Sequence, residues 1–352
     1  RTLVIAIPFV IASTGLRGML EAYQRFALIN AVRIPLGVLM FLAPVFVLQF
    51  SSSLVTVISA LVAVRLIAFL AFSASCFFVE PALLRSIRIS RAEIRPLINF
   101  GGWMTITNII GPLMVYMDRI LIGAVASITA VTYYATPYEV VSKLWVIPGA
   151  LMGVVFPAFA TTIQYDRSRA EKLYYSTVKY IFVSMFPIVL ILVTLAGDVL
   201  SAWLGGDFAK ISAVVLQLLA VGVLINSLAL VPFGLLQGAG RPDITAKLHI
   251  VELPFYLLIL WILLDSYGIV GAAIAWVIRV VTDSLLLFFI ANRLFLRLSA
   301  ISWKPVLLVA IVALTFGIGS SLGGLTTKLA FLSVALATFM AISWNLILLS
   351  LI

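Results

Sequence analysis

Nine ionisable side chains lie inside the long apolar segments of this sequence, and their types and spacing decide what chemistry it could do. Five are basic and four are acidic: Arg65, Asp118, Arg119, Glu139, Lys143, Lys179, Glu252, Arg279 and Asp283. A charge in an apolar segment is unfavourable unless it is paired, hydrated or in contact with a polar ligand. We therefore expect these residues to form ion pairs or to line a hydrated cavity, and we expect none of them to be catalytic.

Four of these residues form a predicted ion-pair cluster. Glu139 and Lys143 lie four residues apart, so they can meet on one helix. Asp118 and Arg119 are adjacent, so their side chains diverge and need partners on other helices. Since the acids and Arg119 fall at similar depths along their segments, we hypothesise that Arg119 pairs with Glu139 and that Asp118 pairs with Lys143.

The remaining acidic residues and two of the bases have simpler interpretations. Arg279 and Asp283 are also four residues apart and can pair on one helix. Lys179 lies near the end of its segment and can extend its ammonium group to the membrane surface. Glu252 precedes Pro254, where a loosened backbone could admit water.

Arg65 has two interpretations, because it has no acid within reach on its own helix. It could form a buried salt bridge with a helix outside this sequence, or it could face an anionic substrate. His249 and Cys76 are the only residues of their types. One histidine and one cysteine cannot build a metal site, so we expect no metal, no cofactor and no intrachain disulfide.

Composition identifies the elements that must position these residues. The chain is 64% hydrophobic and 10% charged, with a mean hydropathy of +1.23, whereas soluble domains are about 25% charged. This composition predicts an all-α polytopic membrane protein. About eleven apolar spans are long enough for helices: Thr2–Gly15, Ile34–Phe50, Leu54–Val79, Ile98–Ala124, Ile128–Thr162, Tyr174–Ala196, Ile211–Leu236, Ile244–Asp265, Ile269–Leu294, Val306–Leu322 and Ala330–Ile352. The second should start earlier, near Ala27, and the fifth should be kinked at Pro137, Pro148 or Pro157.

Loop charges predict the orientation of the spans. Fifteen Lys and Arg residues occupy alternate loops and their edges, at 16–33, 80–97, 163–173, 237–247 and 293–305. The intervening loops hold only Lys210 and Lys328, and the longest of them is Gly197–Lys210. The positive-inside rule therefore places the first set and the C-terminus in the cytoplasm. Because the net charge of +10 is concentrated in these loops, we do not expect nucleic acid as a partner.

An internal repeat is visible. Leu20–Arg25 aligns with Leu236–Arg241 in the second half of the chain, and Pro35 aligns with Pro254 a little further on. The alternative is chance similarity between two apolar hairpins. The repeat predicts two six-helix lobes of the same orientation around a central site. The expected domains are a partial N-terminal lobe at 1–79, a cytoplasmic basic linker at 80–97, a C-terminal six-helix lobe at 98–294, and two extra C-terminal helices at 295–352.

Four segments carry a resemblance to a known family. These are Leu97–Trp103 (LINFGGW), Met117–Gly123 (MDRILIG), Pro137–Glu139 (PYE) and Leu236–Pro242 (LQGAGRP). In their order along the chain they resemble the polysaccharide flippases, the O-antigen and exopolysaccharide branch of the multidrug/oligosaccharidyl-lipid/polysaccharide (MOP) exporter superfamily. The resemblance implies two pseudo-symmetric six-helix lobes plus two C-terminal helices. On that basis we expect an N-terminally truncated member, with three helices upstream.

The resemblance also implies a function. Such a protein translocates polyprenyl-diphosphate-linked oligosaccharide across the bacterial inner membrane by alternating access, for surface polysaccharide and lipopolysaccharide synthesis. Arg and Lys in a hydrated cavity would replace the hydration of the anionic head group. The implied partners are the lipid-linked oligosaccharide, membrane lipids, a coupling ion and other polysaccharide-assembly proteins.

Three points stay open at this stage. A drug or cation antiporter of the same superfamily is the main alternative, and a membrane polysaccharide polymerase, which would be an enzyme, is a weaker one. The tyrosines and tryptophan at Tyr133, Tyr134, Tyr138 and Trp145 could stack on sugars or could serve helix packing at the membrane interface.

Overall fold

Helices make up the fold throughout the described part of the chain. The structure is a computed structural model, and it describes residues 2–50, 53–81, 91–296 and 303–348. These ranges contain no strand, and their helices are α1 Thr2–Ala22, α2 Phe26–Leu48, α3 Leu54–Val79, α4 Arg91–Val125, α5 Ile128–Ser142, α6 Val146–Tyr165, α7 Arg167–Thr194, α8 Ala196–Leu204, α9 Gly206–Gly238, α10 Pro242–Ala291, α11 Trp303–Ser321 and α12 Leu325–Leu348. Eight helical segments within them are long and apolar enough to cross a membrane. The prediction of an all-α polytopic membrane protein is confirmed.

The predicted break in the fifth span occurs between α5 and α6. A short 3₁₀ turn, Lys143–Trp145, separates the two helices. Pro148 has no N–H to donate to the carbonyl of Leu144, so the α-helical hydrogen-bond ladder is interrupted at this point. The break sets the direction of α5, which carries Glu139.

One predicted loop is wrong. Gly197–Lys210 is predicted to be a loop, whereas the structure has α8 there and begins α9 at Gly206. Ala196 and Leu200, one helical turn apart, are both buried, so a single apolar face anchors α8 on α9. Gly205 joins the two helices with φ of +91°, a backbone conformation that glycine adopts without strain.

Two predicted spans, Ile244–Asp265 and Ile269–Leu294, are the two arms of α10. Gly268 has φ of +57° and ψ of −142°, which no helix contains, and it divides α10 into arms at 242–267 and 269–291. Ligand atoms of Glu252 and Asp283, one from each arm, lie within 4.8 Å of each other. The two arms must therefore run antiparallel, with Gly268 at the turn.

The described chain divides into two compact units, Arg1–Ile94 and Arg95–Ile352. In the first unit α3 packs against α1 and α2. Its buried hydrophobic cluster consists of Leu20, Ile29, Phe72 and Cys76. The division into a partial lobe, a linker, a six-helix lobe and two further helices stays a prediction. Residues 82–90, with Arg85 and Arg88, and Arg297 lie outside the described residues.

The second unit is built around α9, which packs against α5, α6, α7, α8 and α10. Buried aromatic side chains, among them Trp276, Tyr134 and Tyr174, fill the spaces between these helices. At Gly222 of α9 a Cβ would lie 2.2 Å from the ring of Trp276. The missing side chain at this position is what allows the indole to lie against α9.

The two turns of the predicted repeat share one backbone geometry. The N–H of Arg25 donates to the carbonyl of Leu20 over 2.9 Å, and that of Arg241 donates to Leu236 over 3.0 Å. The residue before each arginine has a positive φ, +54° at Gln24 and +76° at Gly240. Both helices thus end in the same Schellman-type turn. The six-helix extent of the repeat stays a prediction.

Candidate functional site

A chain of three charged side chains joins α4 to the end of α5. The Arg119 guanidinium lies 3.1 Å from a carboxylate oxygen of Glu139, and the Lys143 ammonium lies 3.6 Å from the other. The side chains become progressively more exposed along this chain, at 20%, 55% and 76%. The hypothesised Arg119–Glu139 pair and the predicted Glu139–Lys143 pair are both present in this structure.

Aromatic rings support the inner end of this chain. The guanidinium carbon of Arg119 lies 4.7 Å from the ring centre of Tyr138 and 5.5 Å from that of Tyr116, within cation–π range. Tyr138 and Tyr134 are buried. These two tyrosines therefore pack between helices, which favours the packing interpretation over sugar stacking for them.

A groove of about 520 Å³ opens at the outer end of the charged chain. Its polar and aromatic lining consists of Thr132, Thr136, Glu139, Lys143 and Trp203. Trp203 belongs to α8 and is well exposed. Hydroxyl groups, a carboxylate, an ammonium group and an exposed indole can together contact the hydroxyls and apolar faces of sugars.

Asp118 has a different partner from the one predicted. Its side chain is fully buried and accepts a 2.6 Å hydrogen bond from the hydroxyl of Tyr134. Lys143 is largely exposed and pairs with Glu139 instead. The hypothesised Asp118–Lys143 pair is therefore wrong. The partner expected from the sequence was a residue of opposite charge. Because Asp118 is buried, the available donor is the neutral hydroxyl of Tyr134.

The predicted pair of Arg279 and Asp283 is also wrong. Arg279 places one guanidinium nitrogen 3.8 Å from the sulfur of Met114, and its carbon lies 5.5 Å from the ring centre of Tyr256. Asp283 instead lies 3.7 Å from Nε2 of His249, on the other arm of α10. The turn at Gly268 brings these two arms together, and a four-residue spacing rule does not anticipate such a contact.

Glu252 lies beside this contact. One ligand atom each from His249, Glu252 and Asp283 lies within 4.8 Å of the others. The expectation that a lone histidine and a lone cysteine exclude a metal site considered only those two residue types. Carboxylates are metal ligands as well, and folding places two of them beside the histidine.

Arg65 lies in the first unit, beside a cavity of about 130 Å³. Ser13, Thr14 and Arg17 also line this cavity. Among the described residues Arg65 has no acidic partner at ion-pair distance, while Arg17 has Glu21 at 3.0 Å. The two guanidinium groups can bind phosphate oxygens, whereas the hydroxyls of Ser13 and Thr14 donate to the backbone carbonyls of Phe9 and Val10.

Lys179 is half-buried on α7, with its ammonium nitrogen 5.0 Å from the ring centre of Tyr180. It lies in the first half of a helix that begins at Arg167. Of the nine predicted residues, Arg65 lies in the first unit and the other eight lie in the second, where Arg279 interacts electrostatically with Asp118, Glu252 and Asp283.

Sequence reasoning missed several residues of these sites. Tyr134 was predicted only as a sugar-stacking or packing aromatic, and Tyr256 was not predicted at all, because neither carries a charge. Trp203 lies in the segment that was predicted to be a loop. Arg17 could have been found, because it stands four residues before Glu21 in an apolar segment.

Comparison with known proteins gives a family, relatives and a fold match. The family described as "Polysaccharide biosynthesis protein" matches residues 2–213. A putative O-antigen transporter of Shigella flexneri is 31% identical over 295 residues, which are 84% of this chain and 69% of that protein. The lipopolysaccharide biosynthesis protein WzxC of Escherichia coli is 24% identical over 209 residues, 58% of this chain and 41% of its own length.

The fold match is to a solved transporter structure. The crystal structure of a mutant of the MATE transporter VcmN of Vibrio cholerae matches with a TM-score of 0.68 at 15% identity. The match covers 82% of this chain and 66% of that one. This chain therefore spans about two thirds of the solved transporter, and a similarity at this level of identity shows a shared fold.

Proposed function

Because the chain belongs to the polysaccharide biosynthesis protein family, we propose that it acts in a flippase that moves lipid-linked oligosaccharide across the bacterial inner membrane. The Shigella flexneri relative, which bears the name of a putative O-antigen transporter, supports a glycan substrate. We propose no enzymatic step, because the Shigella flexneri relative is named as a transporter.

The observation that carries this proposal is the groove beside Glu139 and Lys143. A charged group on a membrane-spanning helix is unfavourable in contact with lipid. Lys143 is 76% exposed and Glu139 55% exposed, so this face of α5 must be in contact with water or with a polar ligand. An exposed indole at Trp203 lies in the same groove. A hydrated path with sugar-binding groups is what an oligosaccharide needs to cross a membrane.

Arg65 and Arg17 would serve the other part of the substrate. A diphosphate cannot enter hydrocarbon without groups that replace its hydration. Guanidinium groups bind phosphate oxygens through two parallel hydrogen bonds. We propose that the cavity of the first unit can bind phosphate groups and that the groove of the second can bind sugars, with the lipid tail staying in the bilayer.

The proposal also includes the orientation of the chain in the membrane and a transport cycle. The distribution of loop charges supports a cytoplasmic C-terminus. The predicted parallel repeat supports alternating access, in which two lobes rock around the substrate. Other polysaccharide-assembly proteins would deliver the substrate and receive it.

Translocation of a labelled polyprenyl-diphosphate oligosaccharide in proteoliposomes tests the proposal. We expect Lys143→Gln to slow translocation by about tenfold, the equivalent of one charge-assisted hydrogen bond. Lys210→Gln is the matched control, because Lys210 is 78% exposed and is also paired with an acid on its own helix. No protein-dependent translocation by the parent chain, or equal losses in both variants, would contradict the proposal.

A drug or cation antiporter is the second candidate, and the fold shared with a MATE transporter favours it. The same proteoliposomes distinguish the two functions when they are loaded with a fluorescent cationic drug. Drug efflux without glycan translocation would establish the antiporter and exclude the flippase.

A further inference from the structure

We propose that His249, Glu252 and Asp283 bind a divalent cation between the two arms of α10. This site goes beyond the proposed transport function, and its test requires no transport substrate. Each of the three residues offers one ligand atom, and these atoms lie within 4.8 Å of one another. Atoms that share one metal ion are separated by about 3–4 Å at ordinary bond lengths, so small side-chain rotations complete the site.

The geometry of α10 brings the ligands to one level. Glu252 and Asp283 stand at nearly equal distances along the sequence on either side of Gly268. At the rise of an α-helix both carboxylates lie about 23 Å from the turn. His249 precedes Glu252 by almost one helical turn and so occupies the same face of its arm.

The cluster contains buried polar atoms that lack hydrogen-bond partners in the described structure. Asp283 is 5% exposed and His249 is 8% exposed. Oδ1 of Asp283, Nδ1 of His249 and both carboxylate oxygens of Glu252 have no hydrogen-bond partner. Buried polar atoms in native proteins are almost always satisfied. The three unsatisfied carboxylate oxygens are therefore available as ligands, and on His249 it is Nε2 that faces Asp283, at 3.7 Å, while Nδ1 is the unsatisfied nitrogen.

The cluster borders on a space that can admit an ion. His249 and Asp283 line a cavity of about 190 Å³, which also reaches Met114, Trp145 and Arg279. One water molecule occupies about 30 Å³ in the liquid, so the cavity is several times larger than a water molecule. A cation could therefore enter with part of its hydration shell.

The local charge favours a cation despite the nearby guanidinium. Glu252 and Asp283 carry two negative charges when ionised, and Arg279 carries one positive charge. Arg279 forms no ion pair with either acid in the described structure and instead contacts Met114 and Tyr256. A divalent cation would allow both acids to be ionised in a buried region, where an unpaired charge is strongly unfavourable.

The ligand set selects the class of ion. One imidazole nitrogen and two carboxylate oxygens are the donors that Zn²⁺ and similar divalent ions accept. Three protein ligands leave a fourth position for water from the cavity. An alkali-metal or magnesium site would consist of oxygen ligands alone, which the histidine does not fit.

Isothermal titration calorimetry of the full chain in detergent tests the site with ZnCl₂ and MnCl₂ as probes. The protein should carry a purification tag without histidine, because a polyhistidine tag binds the same ions. We expect saturable binding of one ion, weakened at least tenfold by each of His249→Gln, Glu252→Gln and Asp283→Asn. Asp243→Asn is the matched control, since it removes an acid of the same helix that is paired with Arg241 and Lys247, and it should leave binding unchanged.

A further variant keeps the test decisive if the substitutions unfold the chain. Asp283→His replaces one zinc ligand with another and should retain Zn²⁺ binding while Asp283→Asn loses it. Size-exclusion chromatography confirms that each variant is folded. Absence of saturable binding by the parent chain, or binding that all three substitutions leave intact, would overturn the proposal.

Discussion

The hydroxyl of Tyr134 donates a 2.6 Å hydrogen bond to a carboxylate oxygen of Asp118, and both side chains are fully buried in the second unit. The other oxygen of Asp118 has no hydrogen-bond partner in the described structure. A membrane-spanning helix, α4, therefore carries an acid that accepts a hydrogen bond from a neutral donor on α5 and interacts electrostatically with Arg119 and Arg279. This bond ties together the helices that present Arg119 and Glu139.

Removal of that donor should destabilise the second unit. We expect Tyr134→Phe to reduce the free energy of unfolding by about 1–3 kcal/mol, because the buried carboxylate loses its donor. Thermal unfolding of the purified protein in detergent measures the effect. Tyr165→Phe is the control, since Tyr165 is well exposed. Equal stability of the two variants would show that Asp118 does not depend on this bond.

The two charges of the Arg119–Glu139 pair should be interchangeable between the two positions. Reversal of either charge alone should reduce transport, and reversal of both should restore most of the loss. The exchange is best made with Lys143→Gln, because Lys143 would otherwise face an arginine at position 139. Transport is the appropriate measurement, since pairs this exposed contribute about 1 kcal/mol or less to stability. A double variant no better than the single ones would argue against direct pairing in the working protein.

The contact between Gly222 and Trp276 should tolerate no added side chain. A Cβ at Gly222 would lie 2.2 Å from the indole, so Gly222→Ala should reduce the free energy of unfolding by about 1–3 kcal/mol through overpacking. Gly153→Ala, within α6 and with no atom near its Cβ position, should be neutral or stabilising. Addition of Trp276→Leu should recover part of the loss. Failure of the smaller side chain to do so would locate the strain elsewhere.

The predicted orientation can be tested with single cysteines. The sequence contains one cysteine, Cys76, which is buried, so Cys76→Ala provides a chain without cysteine. In that background Lys210→Cys should react with a membrane-impermeant maleimide on intact spheroplasts, whereas Arg241→Cys should react only after permeabilisation. Mass spectrometry of the labelled protein gives the measurement. The reverse pattern would invert the proposed topology.

The helical fold was largely predictable because a hydrocarbon environment leaves few alternatives. The third predicted span, Leu54–Val79, has the bounds of α3. Apolar length is a local property, and a membrane helix satisfies its backbone within itself. The helix α8 was missed because it is short and bears Asp198, which lies in its first turn and suits the positive end of the helix dipole.

The candidate sites were less predictable because their contacts join distant segments. Glu139 and Lys143 were paired correctly from spacing on one helix. The contact of His249 with Asp283 depends on the backbone of Gly268, and its positive φ leaves no hydrophobic pattern in the sequence. Tyr134 was not predicted as the partner of Asp118, because a search for charge complementarity cannot find a neutral donor.

The antiparallel arms of α10 also limit how its length can change in evolution. A single inserted residue between Glu252 and Gly268 would rotate the carboxylate by about 100° around its arm and remove it from Asp283. Insertions beyond the two carboxylates, toward Pro242 or Ala291, would leave them facing each other. Relatives that keep both acids should therefore keep the interval between them unchanged, while the ends of this hairpin remain free to vary.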